Sequence, residues 1–154
     1  MDSLETAFST DLRAQQVFTT ICNALDHLGL NRHTDTNSDG SCTAHAGVIS
    51  DEFRLRLIFT VRHQIDCITL IVALPFTAPI PRRMWAAAAV CAVNLKLFEG
   101  LFEYNMEDGS IFFRMTENYL MHRSASSRSA QCAIRQRILL TNTASSCGGS
   151  ARVS

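Results

Sequence analysis

The chain has 154 residues, which fits one domain, because soluble domains most often hold about 100 to 150 residues. Apolar residues make up 47% of it and charged residues 18%, a composition that suffices for a buried core and excludes a fully disordered chain. Fourteen basic and fourteen acidic residues give a net charge of zero, so the overall charge favours neither nucleic acid nor an anionic membrane as a partner.

The charges are distributed unevenly along the chain. Residues 122–154 contain five arginines, eight serines and no acidic residue, so all fourteen acids lie before them. We therefore predict a single α+β domain over 1–121 and a basic, serine-rich C-terminal segment over 122–154. The spacing of Ile134 and Ile138 predicts a short helix over 130–140, followed by a disordered tail.

Cysteine usage and the N-terminus point to a cytoplasmic protein. The six cysteines form no Cys-x-x-Cys pair, and residues 1–6 lack the basic and apolar regions of a secretion signal. Reduced thiols are then the better interpretation. Prolines interrupt the apolar run over 68–80, which falls short of the roughly 20 residues that cross a membrane. The sequence therefore predicts a cytoplasmic protein without a membrane segment.

Two different periodicities divide the first half of the chain. Apolar residues recur at steps of three and four over 11–28 and predict an amphipathic helix. Asn-Ser-Asp-Gly at 37–40 is a turn signal. Beyond it every second residue is apolar from Phe53 to Val61, which predicts a strand over 52–62 with one face on a core.

Two further strands are predicted on either side of this one. A two-residue turn at Ser50-Asp51 pairs it with a strand over 41–50 and sets Val48 opposite Phe53. A third strand over 67–75 follows, and we expect Pro75 to end it because proline cannot donate to a ladder. The predicted core face is then lined by Phe53, Leu55, Leu57, Phe59, Leu70, Val72, Tyr104 and Phe113.

The second predicted helix covers 82–97, with Pro81 at its start. Between Met84 and Leu95 it contains no charged residue, which is typical of a helix buried on more than one side. In a domain of this size we expect one side of the helix to cover the sheet and the other side to meet a further helix or another subunit. We therefore expect a homodimer.

Asp108-Gly109 predicts a tight hairpin between strands over 100–107 and 110–117, because a type I′ turn requires positive φ at both central residues. Counting outward from this turn sets Tyr104 opposite Phe113. It also sets Glu103 opposite Arg114 as a cross-strand ion pair.

The predicted fold is α+β: a five-stranded antiparallel sheet with helices on one face, in the order α-β-β-β-α-β-β with a third helix after the last strand. Residues 68–119 carry a strand, a helix that begins at a proline and contains Asn94, Gly-Leu-Phe-Glu-Tyr at 100–104 and Glu-Asp-Gly-Ser-Ile-Phe-Phe-Arg at 107–114. In these features the chain resembles the YbjN family of bacterial proteins. The resemblance implies a fold like that of type III secretion chaperones, a dimer, and a regulatory role in signalling or stress with no known active site.

No group of residues predicts catalysis, a metal or a cofactor. Cys42 and His45 are three apart on a predicted strand and point to opposite faces, while His63 and Cys67 alone are too few for a structural zinc. The chain has no Gly-x-Ser-x-Gly, no glycine-rich phosphate loop and no His-Glu-x-x-His. The paired acids Glu107 and Asp108 fall at a hairpin tip, where turn chemistry explains them.

The remaining candidate is the polar face of the sheet, which combines cations with apolar side chains. One interpretation is an ordinary solvated face with a few ion pairs. The other is a site for an unidentified protein partner, and in that case the chain is a small non-enzymatic binding or regulatory protein. The alternative function is a small enzyme or ligand sensor that binds an anionic metabolite on this Arg/His face. The candidate partner-binding residues are Arg54, Arg56, Ile58, Arg62, Ile71, Phe112 and Arg114.

Overall fold

A computed structural model describes residues 2–49 and 53–120, and within 2–11 only the helical backbone. The fold is α+β, with one antiparallel sheet and two helices in this range. The predicted helix over 130–140 and the segment over 122–154 lie outside the described residues. The elements are α1 (Asp2–His27), β1 (Arg32–Thr36), β2 (Cys42–Ile49), β3 (Arg54–Arg62), β4 (Cys67–Thr77), α2 (Arg83–Asn94), β5 (Leu101–Tyr104) and β6 (Ser110–Asn118).

The sheet has six strands in the order β1-β2-β3-β4-β6-β5, and every neighbouring pair is antiparallel. The prediction of five strands was wrong because β1 has no apolar residue and all five of its residues are exposed, so it lacks the alternation that marks a strand. The turn signal at 37–40 joins β1 to β2: the Asn37 amide donates to the Ser41 carbonyl at 2.8 Å. Neither described helix is long and apolar enough to cross a membrane.

The core lies between α1 and one face of β2, β3 and β4. From the helix, Ile21 and Leu25 are 1% and 0% exposed. From the sheet, Leu57 and Phe59 are buried as the alternation predicts, whereas Phe53 precedes β3 and is exposed. The buried core of the described residues consists of Ala14, Ile21, Cys22, Leu25, Ala44, Ala46, Val48, Leu57, Phe59, Val61 and Val72.

Both predicted hairpin registers were wrong by two residues. Val48 pairs with Leu55 rather than Phe53, and Tyr104 pairs with Ile111 rather than Phe113. In each hairpin the connection is longer than the predicted two-residue turn. Because side chains alternate with a period of two, an even shift leaves every side chain on its predicted face.

The connection between β5 and β6 is a loop over 106–109. The Asn105 amide donates to the Ser110 carbonyl at 2.9 Å, and the Gly109 amide donates to the Asn105 carbonyl at 2.8 Å, which closes the loop. Only Gly109 in this loop has positive φ, at 78°, so the type I′ turn is excluded. The Asp108 carboxylate accepts hydrogen bonds from the Ser110 amide and hydroxyl and fixes the turn.

Helix α2 lies along β5 but is not buried, which corrects the expectation of burial on more than one side. None of its residues is buried, and Ala86, Val90 and Asn94 on one side are only half-buried. The Asn94 side chain pairs with the backbone of Phe102, donating to its carbonyl at 2.9 Å and accepting from its amide at 2.7 Å. The helix therefore caps the outer edge of the sheet through polar contacts and leaves its other side exposed.

Strand β4 continues past Pro75 to Thr77, two residues beyond the predicted end. The pairing of β4 with β6 is irregular between Ala73 and Thr77. Pro75 lies inside this irregularity, where no ladder hydrogen bond is required of it. The strand can therefore resume at Thr77, which pairs with Ser110.

Candidate functional site

The sheet face that points away from α1 holds all seven candidate residues; we call it the arginine face. Four of them come from β3, where they alternate with buried Leu57, Phe59 and Val61. Ile71 comes from β4, and Phe112 and Arg114 come from β6. Arg54, Arg56 and Arg114 are exposed, so this face is open to solvent at those positions.

The apolar candidates form adjacent rows across the middle of the sheet. Ile58 pairs directly with Ile71 between β3 and β4. In the neighbouring row, Arg56 pairs with Ala73, and Ala73 pairs with Phe112. Because hydrogen-bonded strands lie about 4.8 Å apart, side chains in one row are close neighbours. The three apolar candidates are half-buried, and Arg56 stands at the edge of the cluster that they form.

The four arginines of the face differ in their partners. Arg114 forms an ion pair with Glu103 at 2.9 Å, as the sequence predicts, although the two residues are diagonal rather than opposite in the observed register. Arg62 donates to the Thr69 hydroxyl at 3.2 Å. Arg54 and Arg56 form no ion pair with any residue of the described ranges. Two of the cations on β3 are therefore not paired with an acid of the described region.

A row of four threonines crosses the arginine face, and sequence analysis missed it. Thr43, Thr60, Thr69 and Thr116 lie in register on β2, β3, β4 and β6. The hydroxyl oxygens of Thr43 and Thr60 are 3.3 Å apart, and those of Thr69 and Thr116 are 3.4 Å apart. The predicted two-residue turn set Thr43 opposite Ile58, so the register error concealed this row.

A cluster of two histidines and an aspartate lies on β1 and β2 at the side of the same face. His33 Nε2 is 3.0 Å from one oxygen of Asp35, and His45 Nε2 is 3.6 Å from the other. His45 lies on the arginine face, whereas Cys42 pairs with Val61 on the core face. Among the residues that the structure describes, no three metal-ligand side chains are placed to hold an ion.

Each resolved shift moves the pKa of its group further from pH 7. Hydrogen bonds from Ser41 lower the pKa of Asp39, and hydrogen bonds from Ser110 lower the pKa of Asp108. Burial raises the pKa of the Cys22 thiol. Burial, followed by the neighbouring Asp66 carboxylate, raises the pKa of Tyr119 to about 12. General acid–base catalysis favours groups that titrate near the working pH, and these four shifts run in the opposite direction.

Comparison with protein families, curated proteins and solved structures returns no match for this chain.

Proposed function

We propose that the chain is a small non-enzymatic binding or regulatory protein that acts through protein–protein contacts on the arginine face. The observation that supports this most is the arrangement of β3, which sets exposed Arg54 and Arg56 beside half-buried Ile58 on an open sheet face. Apolar anchors next to cations are typical of interface patches and peptide grooves.

The spacing of the arginines favours an extended partner over a small molecule. Arg54 and Arg62 are eight residues apart on one strand, which corresponds to about 26 Å at roughly 3.3 Å per residue. A single small metabolite does not reach both ends of this row. A peptide strand or the edge of another protein does, and it gains contacts with each cation along the way.

The charges and apolar groups together specify the chemistry of the partner. Arg54 and Arg56, which have no ion pair within residues 2–49 and 53–120, favour carboxylates, which guanidinium groups bind in a bidentate manner. The half-buried Ile58, Ile71 and Phe112 favour one or two apolar side chains next to those carboxylates. We therefore propose an acidic segment with apolar anchors as the partner.

The test combines Arg56→Glu with Phe112→Ser in the full chain and compares partner capture with the unaltered protein. Loss of a central contact typically weakens binding by 2 kcal/mol or more, which is about 30-fold. Ile65→Glu, an exposed residue outside the arginine face, serves as the matched control and should leave capture unchanged. Equal capture by the double variant would show that the partner binds elsewhere.

A second candidate is a small enzyme or ligand sensor that holds an anionic metabolite on the Arg/His face. Arg62 donates to the Thr69 hydroxyl at 3.2 Å, and a guanidinium group also suits a phosphate or carboxylate. A thermal-shift screen against nucleotides, phosphates and carboxylates separates the two candidates, because a ligand at 100 times its Kd adds about 2.7 kcal/mol of stability. A shift that Arg62→Ala abolishes would favour the second candidate.

We also propose a family, a fold type and a cellular location for the chain. The strand, helix and hairpin over 68–119 support a YbjN-like protein with a type III secretion chaperone-like fold. The free thiols of Cys22, Cys42, Cys67 and Cys91 support a cytoplasmic location, where thiols stay reduced.

A further inference from the structure

The outward side of α2 and the chain on either side of it form an exposed apolar surface, which we call the α2 surface. Among the side chains that the structure describes, the four most exposed large apolar ones all lie here. Their exposed fractions are 98% at Phe98, 89% at Leu95, 79% at Trp85 and 76% at Ile80. A contiguous exposed patch of this kind is typical of a binding surface. The α2 surface is defined by Ile80, Met84, Trp85, Val93, Leu95 and Phe98.

Residues 130–140 lie outside the described residues, and their sequence is apolar as well. Seven of these eleven residues are apolar, and Ile134 and Ile138 have the spacing of one side of a helix. A helix this short is marginal in water unless a tertiary contact buries its apolar side. The segment 130–140 therefore needs an apolar surface against which to fold.

From these two features we infer that residues 130–140 fold as a helix against the α2 surface of the same chain. The two helices match in length, because the 12 residues of α2 span about 18 Å and eleven residues span about 16 Å. No charged residue occurs from Met84 to Leu95, and the segment carries no acid. Its two arginines, Arg135 and Arg137, fall on the flanks of the isoleucine side of the helix, so both guanidinium groups reach water at the edges of the contact.

The position of the last described residue allows this contact. Leu120 lies seven residues beyond Phe113 on β6, and Phe113 pairs with Phe102 on β5. Phe102 is hydrogen-bonded to Asn94, the last residue of α2. Seven residues along β6, one strand spacing across to β5 and one packing distance to the helix correspond to about 27 Å. The nine residues 121–129 span up to about 30 Å when extended, so residue 130 reaches the C-terminal end of α2.

The distribution of small side chains along α2 fits a helix that starts at this end and runs antiparallel to α2. In that orientation Ile134 comes to the level of Ala92, and Ile138 comes to the level of Ala88, one helical turn further. Both alanines are exposed, and they lie between the large exposed side chains at the two ends of α2. Small residues flanked by large ones form a groove that accommodates the two isoleucines.

The covalent link favours this segment over a second copy of the chain as the occupant. A tethered segment meets its binding site at an effective concentration on the order of millimolar. A second copy matches that value only in a millimolar solution of the protein. The α2 surface is also separate from the arginine face, so this inference does not depend on the proposed partner and fails separately from it.

Crosslinking between two native thiols tests the contact in the full chain. Cys91 on α2 is exposed, and Cys132 lies in the segment, at nearly the same level in the antiparallel arrangement. Packed helices lie about 8–10 Å apart, so a bis-maleimide of about that length joins the two sulfur atoms. The protein is treated at about 1 μM, far below the effective concentration of a tethered segment. We expect a crosslinked monomer in which Cys91 is joined to Cys132 several-fold more often than to Cys147.

Ile138→Glu tests the segment side of the contact. The substitution removes one buried isoleucine, which should raise the population of undocked segment about tenfold or more. Amide exchange over 130–140 should accelerate by the same factor. The emission of Trp85, the single tryptophan of the chain, should move to longer wavelength because the indole becomes exposed to water. Val153→Glu adds the same charge outside 130–140 and should change neither measurement.

Leu95→Glu makes the same test from the α2 side. Leu95 is 89% exposed, so the thermal midpoint of the domain should stay unchanged while amide exchange over 130–140 accelerates. Ile65→Glu, at a position 58% exposed and away from α2, is the control and should leave that exchange unchanged.

Each alternative occupant of the α2 surface gives a different result, and each of these results overturns the inference. A covalent dimer in place of the crosslinked monomer would show that a second copy covers the surface. Short-wavelength emission of Trp85 that Ile138→Glu does not alter would show that another part of the chain covers it. Unprotected amides over 130–140, with equal crosslinking of Cys91 to Cys132 and Cys147, would show that the segment does not dock.

Discussion

The exposure of the arginine face predicts that two phenylalanines on opposite faces of the same sheet differ greatly in their contribution to stability. Phe59 is 3% exposed and packs between the sheet and α1. Phe112 is half-buried among side chains of its own face. The perturbation is therefore the same substitution, Phe to Ala, made separately at each position.

At Phe59 the substitution removes apolar contacts and also leaves a cavity beneath α1, which costs about 3–5 kcal/mol of unfolding free energy. At Phe112 no described element packs over the side chain, so we expect no cavity contribution. Burying a phenylalanine contributes about 1.5–3 kcal/mol, and partial burial reduces the loss to about 1–2 kcal/mol. The difference between the two variants should therefore be about 2 kcal/mol or more.

Equilibrium urea unfolding of the two variants and the unaltered chain measures this difference, with the m value as a check that the transition is unchanged. Both variants should remain folded, because small domains are stable by about 5–15 kcal/mol. If Phe112→Ala costs as much as Phe59→Ala, a second layer covers the arginine face. The proposed binding site would then be wrong.

Three further predictions follow from single contacts in the described region. Asn94→Ala should cost about 1–3 kcal/mol and speed amide exchange at Phe102, because both backbone groups of that residue lose their side-chain partner. Gly100→Ala should lower the thermal midpoint, since Gly100 has φ of 72° and an added Cβ meets the Phe113 ring; an unchanged midpoint contradicts the observed turn. For Tyr119 the folded pKa of about 12 lies above the usual value near 10, so its contribution to stability is complete below pH 10 and decreases as the pH rises towards 12. An absorbance titration should show one of the two tyrosines ionising near pH 12, and this late step should vanish in Tyr119→Phe.

The sequence predicted which side chains face the core, because an element with one buried face places its apolar residues at a regular spacing along the chain. The alternation from Leu55 to Val61 identified β3 and its two faces, and the apolar steps before Leu28 identified most of α1. The ion pair between Glu103 and Arg114 was also predicted, because it survives an even shift of register. Local patterns of this kind require no knowledge of distant contacts.

The features that the sequence did not reveal depend on the length of a turn or on the exposure of a strand or helix. Strand β1 carries only polar residues and pairs at the edge of the sheet, so no apolar pattern marks it. The Asp108-Gly109 signal located a turn but not its length, and two extra residues displaced every pair of that hairpin. The threonine row was concealed by the other register error, in which the predicted turn at Ser50-Asp51 set Thr43 opposite Ile58 instead of Thr60. The exposure of α2 was missed because an apolar helix is normally covered within its own domain.

If the arginine face binds an acidic segment of another protein, a photocrosslinker on that face should capture the segment. A photoreactive phenylalanine analogue is placed at Phe112 in the full chain within cells that produce it, and a matched variant carries the analogue at Ile65. We expect a covalent adduct at position 112 alone, to a peptide with net negative charge, and we expect the adduct to disappear when Arg56→Glu is added. Identical adducts at both positions, or an adduct at 112 that persists with Arg56→Glu, would contradict the claim.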